Sequence, residues 1–259
     1  MLSRKKKYLQ IALNSTLSEA RGIISKLPPN DRIILEAGTP LLKHYGADGI
    51  RKIHSWWQQR LFGLQDRSTN QPQNFGELVK IIKDTRIHDS VPSPVSSEKL
   101  LNTPYVVADY KAMDRGSTEV EIASSSGASA ITVLGQAPTE TIDVLIEECN
   151  KNNLDSIIDM MNVDKPYNVL RKLKKLPEVV MLHRGVDETE LGNKPFPIHM
   201  INKIKGAFDV KVAIGGGDTI REVQSAIFNG VDIVMVWKEF YHTKDNTSEI
   251  AEEFLKQIK

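Results

Sequence analysis

The chain carries one cysteine, Cys149, so no disulfide can form within it, and no Cys/His spacing suggests a zinc site. No apolar run approaches the ~20 residues that a membrane helix needs. The basic opening MLSRKKKYLQ leads into a stretch too short and too polar for the core of a signal peptide. Net charge is almost absent, since 34 Lys and Arg against 33 Asp and Glu leave +1. Binding to a phosphate backbone requires a clustered surplus of cations, so nucleic acid is not an expected partner, and the runs RKKK and RKLKK read as solvated faces. These absences point to a cytoplasmic setting with neither nucleic acid nor a membrane as partner.

What is present is ordinary for a folded protein. Hydrophobic residues make up 40% and charged residues 26% of 259, enough for one large domain with a sizeable core or for two small ones. Short β-rich runs recur with amphipathic, helix-like segments between them: LQIALN, RIILEA, YVVADY, AITVLG, SIIDMM, VVMLHR, VKVAIG and DIVMVW. From the third onward they begin every ~20 to 30 residues, the length of one βα unit. Runs apolar on both faces mark parallel strands covered by helices. Eight such units close into a (β/α)8 TIM barrel, whose site is built where the strands end. The expected organisation is a single barrel over residues 1–259. The rhythm breaks once, between the second helix and the third strand, which predicts an insertion over about residues 55–104 on the face opposite the site. Trp56 and Trp57 are expected to pack that second helix or to anchor the insertion.

The third run ends in charge. YVVADYKAMDRG places Asp109, Lys111 and Asp114 within six residues, at or beyond the end of an apolar strand. Two carboxylates flanking an ammonium keep the lysine charged and are themselves held ionised by it. Such a group can handle a proton or an anionic intermediate. A surface ion-pair cluster would contain the same three residues, so the triplet alone leaves both readings open. Other strands favour a site, because RIILEA ends near Glu36 and VVMLHR ends in His183 and Arg184. In the seventh unit Gly215, Gly216 and Gly217 stand between a strand and a helix start, where bare N–H groups can cradle a phosphate.

These segments, with EAGTPLLKHYG, GASAITVLGQAPTETI, HRGVDETELGNKPF and VAIGGG, resemble in order and spacing the 3-hexulose-6-phosphate synthases of the orotidine-5′-monophosphate decarboxylase suprafamily. The resemblance covers nearly the whole chain outside the insertion. It implies Glu36 and Asp109 as ligands of Mg²⁺ (or Mn²⁺), Lys111 and Asp114 as the rest of the charged array, and His183 as acid/base. It also implies a homodimer in which Asp114 reaches the neighbouring subunit's site. The implied reaction is a reversible aldol addition of formaldehyde to ribulose 5-phosphate. A 3-keto sugar-acid phosphate decarboxylase on the same array is the alternative, and a non-catalytic barrel that binds a sugar phosphate or a partner protein is a third.

Two places depart from the family. The first strand ends in Asn14, where the family has Asp, keeping the shape and losing the charge. The eighth ends in VMVWKEFY, where the family has small residues for phosphate. There Lys238 is expected to supply a point charge to the phosphate beside Gly215 and Gly216, unless Trp237 fills the pocket; Asn14, Glu36 and Arg184 are further candidates for binding substrate.

Overall fold

The computed structural model describes residues 1–63, 103–191, 197–216, 220–242 and 246–258. All eight expected strands form: β1 (Tyr8–Leu13), β2 (Ile33–Ala37), β3 (Val106–Ala112), β4 (Ala130–Leu134), β5 (Asp155–Asp159), β6 (Val179–His183), β7 (Lys211–Gly215) and β8 (Ile233–Val236). They pair in parallel in sequence order, and β8 returns to β1 to close the barrel. Between them run α1 (Leu17–Lys26), α2 (Thr39–Phe62), α3 (Gly116–Ser125), α4 (Thr139–Lys151), α5 (Pro166–Leu170), α6 (Val186–Leu191), α7 (Ile201–Ala207) and α8 (Ile220–Phe228), with α9 (Lys238–His242) and α10 (Thr247–Gln257) after them. No helix among the described residues is long and apolar enough to cross a membrane.

Strand periodicity sorts the side chains into two layers. Leu9, Ile11 and Leu13 of β1 face outward into a core shared with the helices, whereas Tyr8 and Ala12 face inward with Ile34, Val107, Ala130, Ile157, Met181, Ala213 and Met235. The alternation decides which residue each strand presents at its C-terminal end. At the opposite end Leu2 is buried; its N–H donates to Asp155 Oδ2 at 3.1 Å, and the Tyr105 hydroxyl donates to the same oxygen at 2.6 Å. That end of the barrel is a packed floor.

Local chemistry places the helices. Thr16 caps α1 by accepting from Glu19 N–H at 3.2 Å, in the Thr-x-x-Glu spacing of a capping box. Leu27 ends the helix before Pro28 and Pro29. α2 follows Gly38 at its N-cap with Pro40 in its first turn, breaks helical geometry at Gly46 (φ 51°), and is closed by Gly63 in the left-handed conformation at its C-cap. Its buried face, Ile50, Ile53, Trp57 and Leu61, keeps helical spacing through Leu61. The expected onset of the insertion near residue 55 is therefore corrected: residues 55–62 belong to α2. Trp57 is wholly buried in the core, and Trp56 lies half-buried with the Arg21 guanidinium 5.8 Å from its ring centre. The rest of the expected insertion, to residue 102, lies outside the described residues.

Candidate active site

The inward-facing rows end at the mouth of the barrel in Asn14, Glu36, Asp109, Asp159, His183, Gly215 and Trp237. Asn14, Glu36, Asp109, His183 and Trp237 line a cavity of about 470 Å³, together with Lys111, Arg184, Gly216 and Lys238.

At its centre is a line of buried charge. Lys111 Nζ lies 3.1 Å from Asp109 Oδ1 and 2.8 Å from Asp159 Oδ2, and His183 Nδ1 lies 2.8 Å from that same Asp159 oxygen. The other Asp159 oxygen accepts the backbone N–H of Met161 at 2.9 Å. Asp159 has no exposed surface, so its charge is stable only because the Lys111 ammonium, the His183 ring and a backbone N–H converge on it. Burial raises its pKa, but His183 and then Lys111 outweigh that and hold it well below the usual carboxylate range. Burial likewise opposes the charges on His183 and Lys111. The charge of Asp159 reverses this for His183, and those of Asp109 and Asp159 for Lys111, so both pKa values end raised. An ionised Asp159 can only accept, so Nδ1 of His183 carries the proton it shares and Nε2 is left for chemistry.

Asp109 is fixed on both oxygens. Oδ1 accepts from Thr132 Oγ1 at 2.9 Å, and Oδ2 accepts from Thr39 Oγ1 at 2.7 Å and from Thr39 N–H at 3.3 Å, at the start of α2. Lys111 lies inside β3, one step past the expected strand end, in the left-handed region at φ 48°. For a residue with a side chain this costs about 1–3 kcal/mol and persists only where its surroundings impose it. Glu36 accepts a hydrogen bond from the Gln10 amide. Burial first, and the Asp109 charge second, push the Glu36 carboxyl up to about 8, with Lys111 pulling it back. A carboxyl held protonated by burial and by a neighbouring carboxylate is suited to share a hard divalent cation with that neighbour, and the cation's charge would let Glu36 ionise. Among the described residues no group of three or more His, Cys, Asp or Glu is placed to hold one ion. A cation here would draw its remaining ligands from water and substrate, as Mg²⁺ commonly does.

The remaining expected residues divide. Arg184 lines the cavity, but its Nη2 donates to Gly216 O at 2.7 Å and to Glu222 Oε1 at 3.2 Å, bracing the end of β7 against α8. Gly216 has φ 86°, and a Cβ there would fall 2.3 Å from the Arg184 carbonyl oxygen, so both backbone shape and space require glycine. Gly217 lies outside the described residues. Trp237 is one wall of the cavity, which stays open beside it. It meets Tyr241 edge-on at 6.2 Å and carries Lys238 Nζ 5.5 Å from its ring centre. Lys238 Nζ is also 3.8 Å from Glu190 Oε1. Asn14 reaches across Gly38, where a Cβ would sit 1.7 Å from its Oδ1, and its N–H donates to the Tyr241 hydroxyl at 2.9 Å. Asp114 is the exception. It is exposed on the loop after β3 and does not line this cavity.

Asp159 went unassigned in the sequence although SIIDMM ends its strand in an acid just as RIILEA does. Thr39 and Thr132 gave no signal, since threonine is common in strands and at helix starts.

A barrel with this mouth belongs to a recognisable group. The family described as "Orotidine 5'-phosphate decarboxylase / HUMPS family" matches residues 99–253, and the chain belongs to that family. Within it, the chain is 31% identical over 253 residues to the "Bifunctional enzyme Fae/Hps" of Methanothrix thermoacetophila, covering 97% of this chain and 53% of that protein. The chain thus spans about half the length of the curated relatives it matches. The 3-hexulose-6-phosphate synthase of Salmonella typhimurium superposes with a TM-score of 0.70 at 25% identity, covering 97% of this chain and 98% of that one. KGPDC from Streptococcus mutans shares the fold with a TM-score of 0.66 at 16% identity, covering 98% of this chain and 97% of that one. The resemblance read from the motifs holds at the level of the family.

Proposed function

We propose that the chain is a lyase that catalyses the reversible aldol addition of formaldehyde to D-ribulose 5-phosphate, giving D-arabino-hex-3-ulose 6-phosphate, as a homodimer. The observation that carries this is the buried line Asp109–Lys111–Asp159–His183 at the mouth of a barrel of this family. Its residues suit a reaction that removes a proton from carbon and returns one to oxygen.

Neutral His183 takes the proton from C1 of the sugar through Nε2, and its raised pKa makes it a stronger base than free imidazole. Asp159 holds the ring in the required tautomer and offsets the imidazolium that forms. The carbanion at C1 attacks formaldehyde, a C–C bond forms, and the carbonyl electrons move to the formaldehyde oxygen, which takes the proton back from His183. Lys111 stays charged and stabilises the enediolate oxygens electrostatically. Glu36 and Asp109 would hold Mg²⁺ or Mn²⁺, which when bound supplies positive charge against the oxyanion charge of the deprotonated sugar. Gly215, Gly216 and Lys238 would grip the phosphate, and Asn14 the sugar hydroxyls. Asp114, exposed and away from this chain's own cavity, would serve a partner's site.

The test is to incubate purified protein with Mg²⁺, ribulose 5-phosphate and ¹³C-formaldehyde and to follow the label by NMR. Label appearing in C1 of a hexulose phosphate is the expected result. No incorporation with either metal, alongside CO2 release from a 3-keto sugar-acid phosphate, would assign the array to decarboxylation instead.

A further inference from the structure

β3 and β4 stay in register to Ala108 opposite Ile131 and meet again at Ala112 opposite Val133. Asp109, Tyr110 and Lys111 of β3 therefore face one residue of β4, Thr132. A bulge of this kind leaves backbone groups without their ladder partners. Here the N–H of Lys111 donates to Thr132 Oγ1 at 2.9 Å, and the same hydroxyl donates to Asp109 Oδ1 at 2.9 Å. A threonine hydroxyl has one proton to give and lone pairs to receive with, so both capacities are committed at once. Thr132 is wholly buried and does not line the cavity. It does not meet a substrate, and whatever it does for the reaction passes through its two partners.

We propose that Thr132 is a positioning residue. Its hydroxyl clips the bulge so that the backbone carrying Lys111 and the carboxylate of Asp109 are set by one oxygen, which in turn fixes the ammonium between Asp109 and Asp159. Its effect on rate rests on the aldolase reading above, and its effect on the bulge rests on geometry alone. The left-handed backbone at Lys111 is what the clip holds in place. Valine would fill the same volume and satisfy neither partner, whereas serine would keep the hydroxyl and give up only the methyl group.

The experiment compares Thr132→Val with Thr132→Ser on two readouts, steady-state kinetics and NMR hydrogen exchange at the Lys111 amide. Misplacing a catalytic group by about an ångström costs roughly 10²-fold. Thr132→Val should therefore lower kcat about 10²-fold with KM changed less than about threefold, and should speed exchange at Lys111 about tenfold or more. Thr132→Ser should stay within about threefold on kcat and keep the amide protected. Wild-type kcat or a still-protected Lys111 amide in Thr132→Val would overturn the proposal. So would equal losses in both variants, which would make the methyl packing decisive, or a Thr132→Val protein that does not fold, which would make the residue a stability element. If wild-type protein turns over no ribulose 5-phosphate and formaldehyde, the aldolase reading fails, and the exchange rates alone decide whether the hydroxyl holds the bulge.

Discussion

At the scale of single residues the molecule turns on Asp159, a fully buried carboxylate held between Lys111 and His183. Because its folded pKa is depressed, the stability it contributes is present above the unfolded value near 4 and is lost as pH falls through the folded one. His183 works in the opposite sense. Its folded pKa is raised, so its contribution is complete below the unfolded value near 6.5 and disappears as pH rises through the folded one. The pair is strongest between those limits. Asp159→Asn removes the main charge that offsets burial at His183 and leaves only the smaller influence of Asp109 against burial and Lys111, so the imidazole pKa must fall. The acidic limb of kcat/KM should move to lower pH, while the plateau rate drops roughly 10²-fold or more as the base weakens and the tautomer is released. An NMR titration of the His183 ring checks this directly, and an unmoved ring pKa in the variant would separate Asp159 from the mechanism. The sequence held the clue to Asp159, an acid closing an apolar strand, whereas Asp155 opens the same strand and lies on the floor.

Among the elements, the strands were legible because a parallel barrel strand is buried on both faces, which leaves an unbroken apolar run bounded by polar residues. The helices were legible in place but not in length. α2 continues past Ser55 because Trp57 and Leu61 fall on the face already buried by Ile50 and Ile53, a periodicity that the polar residues between them conceal. Trp57→Ala should accordingly cost about 3–5 kcal/mol of stability, since it empties a wholly buried site in the main core; a chemical denaturation midpoint within experimental error of wild type would contradict that packing. The bulge in β3 was not legible at all, as no residue type marks it and Lys111 is an unfavoured occupant of a left-handed position. At the end of β8 the departure from small residues resolves into a wall rather than a plug, with Trp237 braced by Tyr241 and the cavity open beside it. If Lys238 grips the phosphate there, Lys238→Ala should raise KM for ribulose 5-phosphate about tenfold and leave kcat within about threefold, because a handle held equally in ground and transition states contributes only to binding. Unchanged binding in calorimetric titration would return that lysine to its neighbour Glu190.

At the scale of the whole molecule the exposed Asp114 carries the argument. Asp109 and Lys111 of the same motif turn into this chain's cavity, whereas Asp114, three residues after Lys111, sits on the surface loop before α3. A charged residue at the edge of a catalytic motif that leaves its own site either does nothing or completes another. In the dimer proposed here it completes another, so each site takes Lys111 from one subunit and Asp114 from its partner. Asp114→Ala and Lys111→Ala should then each be inactive as homodimers. A mixed dimer of the two has one site carrying both defects and one carrying neither. With free exchange of equal amounts, half of the dimers are mixed and each contributes one intact site of two, so activity should recover to about a quarter of wild type. The measurement is activity after unfolding and refolding the two variants together, with subunit exchange confirmed by mass-tagged chains. Recovery near a quarter supports shared sites, whereas no recovery from fully exchanged dimers would mean that each barrel works with its own residues and that Asp114 belongs to the solvent.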